Sequence, residues 1–378
     1  MNQGMEPSAP PPDGEISECT GLSYFTLLNA QLNQHTFRGH IENFAGLCML
    51  PVGIAGPLTI QGDQAKGDFR VPMATTEGTL VASYNRGLRA GRQGGGFWAK
   101  VLEETIQRCP LLKFTTAQEA FSFIQWMDSQ HDTIKVVAES ASRYAVLKNI
   151  RTILEGNEVI VNLEYSTGDA SGQNMVTLCS QKVCDFIRDY APLSPQQIYV
   201  EGNASGDKKA GIRSLGRTRG KRVVAEVTIP QQVVSAVLKT TPQRLVDFWL
   251  SSTMSQVKIG SAGNQAHVAN GLAAMFLATG QDVACIAEAA AGFNRAEVTS
   301  QGDLYASLTL PNLIIGSVGG GTGLPTQREC LEMMDCFGTG KANKLAEIMT
   351  AVALAGELSI GAAITEGHFA RAHQKLGR

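Results

Sequence analysis

The run from Ala342 to Lys375, ANKLAEIMTAVALAGELSIGAAITEGHFARAHQK, constrains the fold more than any other stretch. It reads as one long, largely apolar helix. Such a helix has to be covered by other layers of the protein. The chain can supply them, since 43% of its 378 residues are hydrophobic. That suits a large core shared between two or three domains. A helix docked in this way also fixes the residues at its C-terminal end, among them two histidines, His368 and His373.

The rest of the chain alternates helical and strand-like patterns. Residues 1 to about 16 are rich in Pro, Gly and acid and are expected to be disordered. Residues 20–40 carry a weak helical pattern. LPVGIAGPLTI and DFRVPMA predict a hairpin around a polar turn. TEGTLVASYNRGLRAG predicts an amphipathic helix with Thr76 as its N-cap. Between about 110 and 202 the order is helix, strand, strand, helix, strand, which predicts a compact α+β module. Larger helical units then return: PQQVVSAVLKT, NQAHVANGLAAMFLATG and QDVACIAEAAAGF. LYASLTLPNLIIGSV is strand-like and leads to a triple glycine, Gly319–Gly321.

Composition excludes several classes. With 17% charged residues and a net charge of -2, nothing suggests a nucleic-acid partner. No uninterrupted apolar run reaches the roughly 18–20 residues of a membrane span. The N-terminus lacks the basic and apolar regions of a signal peptide. A cytoplasmic protein with no membrane association is therefore expected. The eight cysteines are scattered without a C-x-x-C pair, so neither a disulfide framework nor a metal site is expected.

Five islands could carry chemistry. ATTEG places Glu77 beside a helix start, where a carboxylate is also favoured simply by the helix dipole. STGDASGQNM, residues 166–175, presents small residues ahead of a helix, as an anion-binding turn does. GDKKAG, residues 206–211, sets Lys208 and Lys209 between glycines. That is usually a solvated loop, but such an ammonium can also stabilise an oxyanion. NQAHVANGLAAMFLATGQD puts His267 and Asn270 on one helical face and Asp282 at the end of an apolar helix. EGHFARAH, residues 366–373, holds the two histidines. Each island alone has a bland explanation.

In combination and in order, from Glu42 to His373, the islands resemble the hydroxymethylglutaryl-CoA reductase family. ENFAGLCMLPVGIAGPL, VPMATTEGTLVASYNRG, GDASGQNM, GDKK, GNQAHVAN, ATGQD, IGSVGGGTGLP and GHFARAH carry the resemblance. GDKK is similar to the lysine loop of the class that includes eukaryotic and archaeal enzymes. The resemblance implies an α+β fold with a large domain, residues 41–109 and 203–378, after a short N-terminal segment, residues 1–40. An inserted small ferredoxin-like domain, residues 110–202, would bind the cofactor without a Rossmann fold.

It further implies two-step reduction of an acyl-CoA thioester by NADPH, and a homodimer or larger assembly with the site at the subunit interface. Lys208 matches the cation that stabilises the oxyanion, and Glu77 the general acid. Asp282 matches the carboxylate that would couple Glu77 to Lys208 and, with burial, raise the Glu77 pKa. His373 matches the acid for the departing thiolate. Cofactor positions fall on Ser142, Arg143, Asp169, Gly172, Asn174, Met175, Gly319, Gly320, Gly321 and Thr322. A guanidinium at 143 favours NADPH over NADH. Acyl-CoA positions fall on Ser83, Asn85, Arg86, Arg89, Arg108, Asn203, Asp207, Lys209, Lys239, His267 and Asn270.

The sequence departs from the pattern at the acyl end. Glu201 stands where the family has a serine, and an unanswered anion there would repel a substrate carboxylate. A family lysine falls in LSSTMSQVKIGSAGNQAH, where Ser252, Gln256 or Lys258 are the candidates. AGIRSLGRTRGK carries additional arginines at Arg213 and Arg217.

Overall fold

The computed structural model describes residues 37–44, 46–211 and 216–367. The expectations for residues 1–16, for most of the 20–40 helix, and for Arg213, His368 and His373 lie outside that range. Phe37–Pro51 is a unit of its own, in which Phe37 and Phe44 stack at 4.8 Å.

From Val52 onward the protein is a mixed α/β structure. β1 (Val52–Gln61) and β2 (Lys66–Ala74) form the expected antiparallel hairpin. The other strands build one sheet of eight, antiparallel at every pairing. They are β3 (Trp98–Arg108), β4 (Leu111–Lys113), β5 (Val146–Glu155), β6 (Glu158–Ser166), β7 (Gln197–Tyr199), β8 (Gly220–Ile229), β9 (Phe293–Val298) and β10 (Leu304–Leu313). The order is β7-β4-β6-β3-β8-β10-β9, with β5 also paired to β6.

The helices are α1 (Leu80–Gln93), α2 (Ala117–Ser129), α3 (His131–Glu139), α4 (Gln173–Tyr190), α5 (Pro242–Lys258), α6 (Val268–Thr279), α7 (Pro325–Met333) and α8 (Ala342–Thr365). α8 lies at the centre of the larger core, packed on α1, α6, β8 and β10. By length and composition α8 could cross a membrane, contrary to the expectation that no stretch could; 83% of its apolar window is instead buried inside the protein. Gly87 of α1 and Ala355 of α8 set the closeness of that packing. A Cβ at Gly87 would stand 1.8 Å from the Ala355 carbonyl oxygen. A second core draws only on residues between Ile106 and Ile198.

Several local expectations need correction. Thr76 does not cap α1: the helix starts at Leu80, with Thr79 at its N-cap in the left-handed region. Asp282 does not end a helix either. α6 stops at Thr279, Gly280 turns the chain at φ 69°, and Asp282 caps the next short turn by accepting from Ala284 N. PQQVVSAVLKT and QDVACIAEAAAGF each form short helical turns rather than one helix.

Candidate active site

Lys208 and Asp282 meet as an ion pair at 3.0 Å. Asp282 is held by the backbone of its own turn through Oδ1, and its Oδ2 faces the ammonium. Both side chains remain near two-fifths exposed, which leaves the ammonium accessible to a ligand. The hydrogen bond to Asp282 raises the Lys208 pKa above its ordinary value. The shift favours the charged form, the form that can stabilise an oxyanion.

Beneath this pair runs a chain of charges. Arg108, 7% exposed, places Nη1 at 3.2 Å from Glu201 and 3.3 Å from Asp207, and Nη2 donates to Gln173 O. The other oxygen of Asp207 lies 2.9 Å from Arg219 Nη2, and Arg219 Nε lies 3.5 Å from Glu288. Burial pushes the Asp207 pKa up, but Arg219 and Arg108 outweigh it and hold the carboxylate below its usual range. Glu288 is fully buried, and desolvation raises its pKa. Cys285 is pushed up to about 12 by burial and by Glu288; Gln173 Nε2 donates to its sulfur at 2.7 Å.

Glu201 is therefore not an unanswered anion. Oε2 pairs with Arg108 and accepts from Cys109 N, while Oε1 accepts from Ala204 N and Ser205 N. The corollary is that Arg108 is already engaged and is not a free clamp for a substrate carboxylate. Lys209 and Asn203 are exposed on the same loop, with Lys209 Nζ donating to Asp207 O. Ser252, Gln256 and Lys258 lie on α5, where Gln256 donates to Ser252.

Glu77 differs from expectation. It is exposed, and its partner is an amide: Asn270 Nδ2 lies 3.2 and 3.3 Å from its two oxygens. Glu77 is thus not buried within this chain, and among the described residues no hydrogen bond or ion pair joins it to Asp282. His267 and Asn270 do not share a helical face as foreseen, because His267 precedes α6 at its N-cap. The buried Glu357 of α8 accepts from Ala266 N and His267 N, and His267 Nε2 contacts Gly356 O.

The CoA positions around α1 are partly committed. Ser83 and Arg86 both reach Ser359 of α8, and Asn85 accepts from Gly56 N. Burial and the neighbouring Arg89 lower the Arg86 pKa. Arg89 and Lys239 are exposed, Lys239 in the left-handed region.

The two glycine-rich segments come together. Ala170 bridges Val318, and Asp169 O accepts from Ser317 N. Gly172 caps α4 in the left-handed region, followed by Asn174 and Met175 in its first turn. Thr322 folds its hydroxyl onto Gly319 O, and Gly321 packs against Gly280, two residues before Asp282. The Asp169 carboxylate accepts from Gly340 N and Ala342 N at the start of α8, which ties the glycine-rich turn to that helix. Ser142 accepts from the backbone of Tyr144 and Ala145, whereas Arg143 is exposed and has no ion pair among the described residues.

Three residues escape the sequence reading. Gln173 ties α4 to Cys285, Glu104 accepts from Thr167 N and Gly168 N under the glycine-rich turn, and Arg219 joins Asp207 to Glu288. Arg219 had a faint signal in RTRGK; the other two look like ordinary helix and strand residues.

A family model described as hydroxymethylglutaryl-coenzyme A reductase matches residues 15–378. A 3-hydroxy-3-methylglutaryl-coenzyme A reductase of Pyrococcus horikoshii is 42% identical over 346 residues, 90% of this chain and 84% of the relative. One of Aeropyrum pernix is 43% identical over 371 residues, 96% of this chain and 88% of the relative. Among solved structures, the class II 3-hydroxy-3-methylglutaryl-CoA reductase of Streptococcus pneumoniae bound to NADPH is similar with a TM-score of 0.70. It shares 17% identity across 91% of this chain and 97% of that chain, a likeness of fold.

Proposed function

The chain belongs to the hydroxymethylglutaryl-coenzyme A reductase family, and we propose from this that it reduces hydroxymethylglutaryl-CoA to mevalonate and CoA with two NADPH. The observation that carries the reading is the Lys208–Asp282 pair: an accessible ammonium, fixed at 3.0 Å by a carboxylate that its own backbone turn holds.

NADPH supplies hydride to the acyl carbon. Lys208 would stabilise the oxyanion that develops with each hydride; collapse of the first would break the C–S bond to give an aldehyde, with His373 protonating the departing thiolate, and Glu77, steadied by Asn270, would protonate the alkoxide left by the second. Residues for the dinucleotide fit the chemistry of a phosphorylated ligand. The α4 N-terminus opens at Gly172, and Gly319 and Gly320 have no atom within 4 Å of where a Cβ would stand. The exposed Arg143 suits the 2′-phosphate.

The β4-α2-α3-β5-β6-α4-β7 connectivity and the strand order β7-β4-β6-β5 support reading residues 110–202 as a ferredoxin-like cofactor domain. A homodimer with the site at its interface and a cytoplasmic location, without membrane or nucleic-acid partners, belong to the same proposal.

One observation favours a second reading, reduction of a related acyl thioester. Glu201 and Asp207 already neutralise Arg108, which weakens the site's claim on a distal carboxylate. The test is NADPH oxidation with hydroxymethylglutaryl-CoA by wild type and Lys208→Ala. Wild-type turnover that falls about 10²-fold or more in the variant is expected. Equal background rates in both would leave only a non-catalytic acyl-CoA-binding role.

A further inference from the structure

Lys208 occupies the left-handed backbone region at φ 57°, which a side-chain-bearing residue adopts only when its surroundings hold it there. Two carboxylates flank it. The preceding residue, Asp207, lies against Arg219 Nη2 at 2.9 Å. The Lys208 N–H faces the Glu288 carboxylate and acts to lower its pKa, and Glu288 Oε1 lies 3.5 Å from Arg219 Nε. Arg219 thus pairs with both carboxylates that flank the lysine backbone. It is in turn fastened to the sheet, with Nη1 donating to Gln107 O of β3 at 2.9 Å and its N–H donating to Asn312 Oδ1 of β10 at 3.0 Å. The side chain is 4% exposed, too buried to serve as a surface charge.

Asp207, Cys285 and Glu288 bring ligand-type atoms within 4.8 Å of one another, which is metal-like spacing. The Arg219 guanidinium already supplies the positive charge between the two carboxylates and would repel a metal ion there. The cluster is built around an arginine.

We propose that Arg219 is the positioning residue for Lys208, holding residues 207–208 through Asp207 and Glu288 so that the ammonium meets Asp282. The inference rests on the reading of Lys208 as the oxyanion-stabilising group, and its test includes a readout that does not depend on turnover.

The variants are Arg219→Met and Arg219→Lys in the full chain, checked for folding by thermal unfolding. Turnover of hydroxymethylglutaryl-CoA with NADPH is measured alongside pH-dependent acylation of the Lys208 amine, followed by peptide mass spectrometry. Asp282, Cys285 and Asp207 are the titratable groups facing that amine, and Glu288 faces the backbone N–H of the same residue. In Arg219→Met, kcat should fall about 10²-fold with KM changed by less than about twofold. Arg219→Lys should recover part of the loss.

The direction of the acylation midpoint separates positioning from simple charge. Deleting a positive neighbour would by itself raise the Lys208 midpoint. Losing the Asp282 contact lowers it, and a lowered midpoint is the expected result. A raised or unchanged midpoint, or wild-type kcat in Arg219→Met, overturns the proposal. If Arg219→Met does not fold, Asp207→Asn, which keeps the shape but removes the anion that Arg219 grips, should reproduce the kcat loss. Wild-type kcat in Asp207→Asn then overturns the proposal. If wild type reduces no thioester while the midpoint still falls in Arg219→Met, the functional reading is lost and the positioning role stands.

Discussion

A buried charge is tolerated when other charges and hydrogen bonds answer it, and the site is assembled on that condition residue by residue. Glu201 answers Arg108 and three backbone N–H groups. Glu201→Ala should therefore destabilise the protein by about 1–3 kcal/mol in urea unfolding, even though the residue sits in a loop. Glu104 follows the same logic: burial pushes its pKa up, but Lys221 and the N–H groups of the glycine-rich turn outweigh this and lower it. Asp207 is lowered too. Carboxylates depressed in the folded state contribute stability above their unfolded pKa and lose it as pH falls through the folded one. The urea midpoint should thus drop below about pH 4, and less steeply in Glu104→Gln. A parallel drop in the variant would remove Glu104 from that account. That Lys208 and Asp282 belong side by side was legible in sequence through the ordered motifs that carry them. The meaning of Glu201 was not, because a sequence shows an anion without showing the arginine that faces it.

At the scale of elements, the close approach of α1 and α8 rests on Gly87. Gly87→Ala would drive a methyl group into the Ala355 backbone and should cost about 3 kcal/mol or prevent folding, as measured by denaturant unfolding. The start of α6 depends on Glu357, whose carboxylate accepts from Ala266 N, His267 N and Asn294 Nδ2. Glu357→Gln keeps the volume but removes the charge. It should lower stability by about 1–3 kcal/mol and reduce turnover through the displaced Asn270–Glu77 contact. Unchanged kcat in a folded variant would detach Glu357 from the site. The hairpin, α1, α4 and α8 were readable from periodicity and turn residues. β8 was missed although its buried positions alternate strictly, since the first of them is Lys221, which reads as surface until Glu104 is seen beside it. The end of α6 was misjudged because Gly280 stops the helix before the apolar pattern gives out.

For the whole molecule, the fold brings two glycine-rich segments, far apart in sequence, beside the lysine loop. Sequence order could name both segments but not their contact, which is made by the Ala170–Val318 bridge and the packing of Gly280 on Gly321. Arg143→Ala should raise KM for NADPH about tenfold or more while leaving use of NADH nearly unchanged, since only the former carries a 2′-phosphate for the guanidinium to bind. Equal effects on both would remove Arg143 from the cofactor site. The central claim is thioester reduction to the alcohol at Lys208. It is tested most directly by counting NADPH oxidised against CoA thiol released from hydroxymethylglutaryl-CoA, in wild type and Lys208→Ala. The account predicts two NADPH per thiol in wild type and loss of both signals together in the variant. NADPH oxidation that persists in Lys208→Ala, or thiol release without NADPH oxidation, would contradict it.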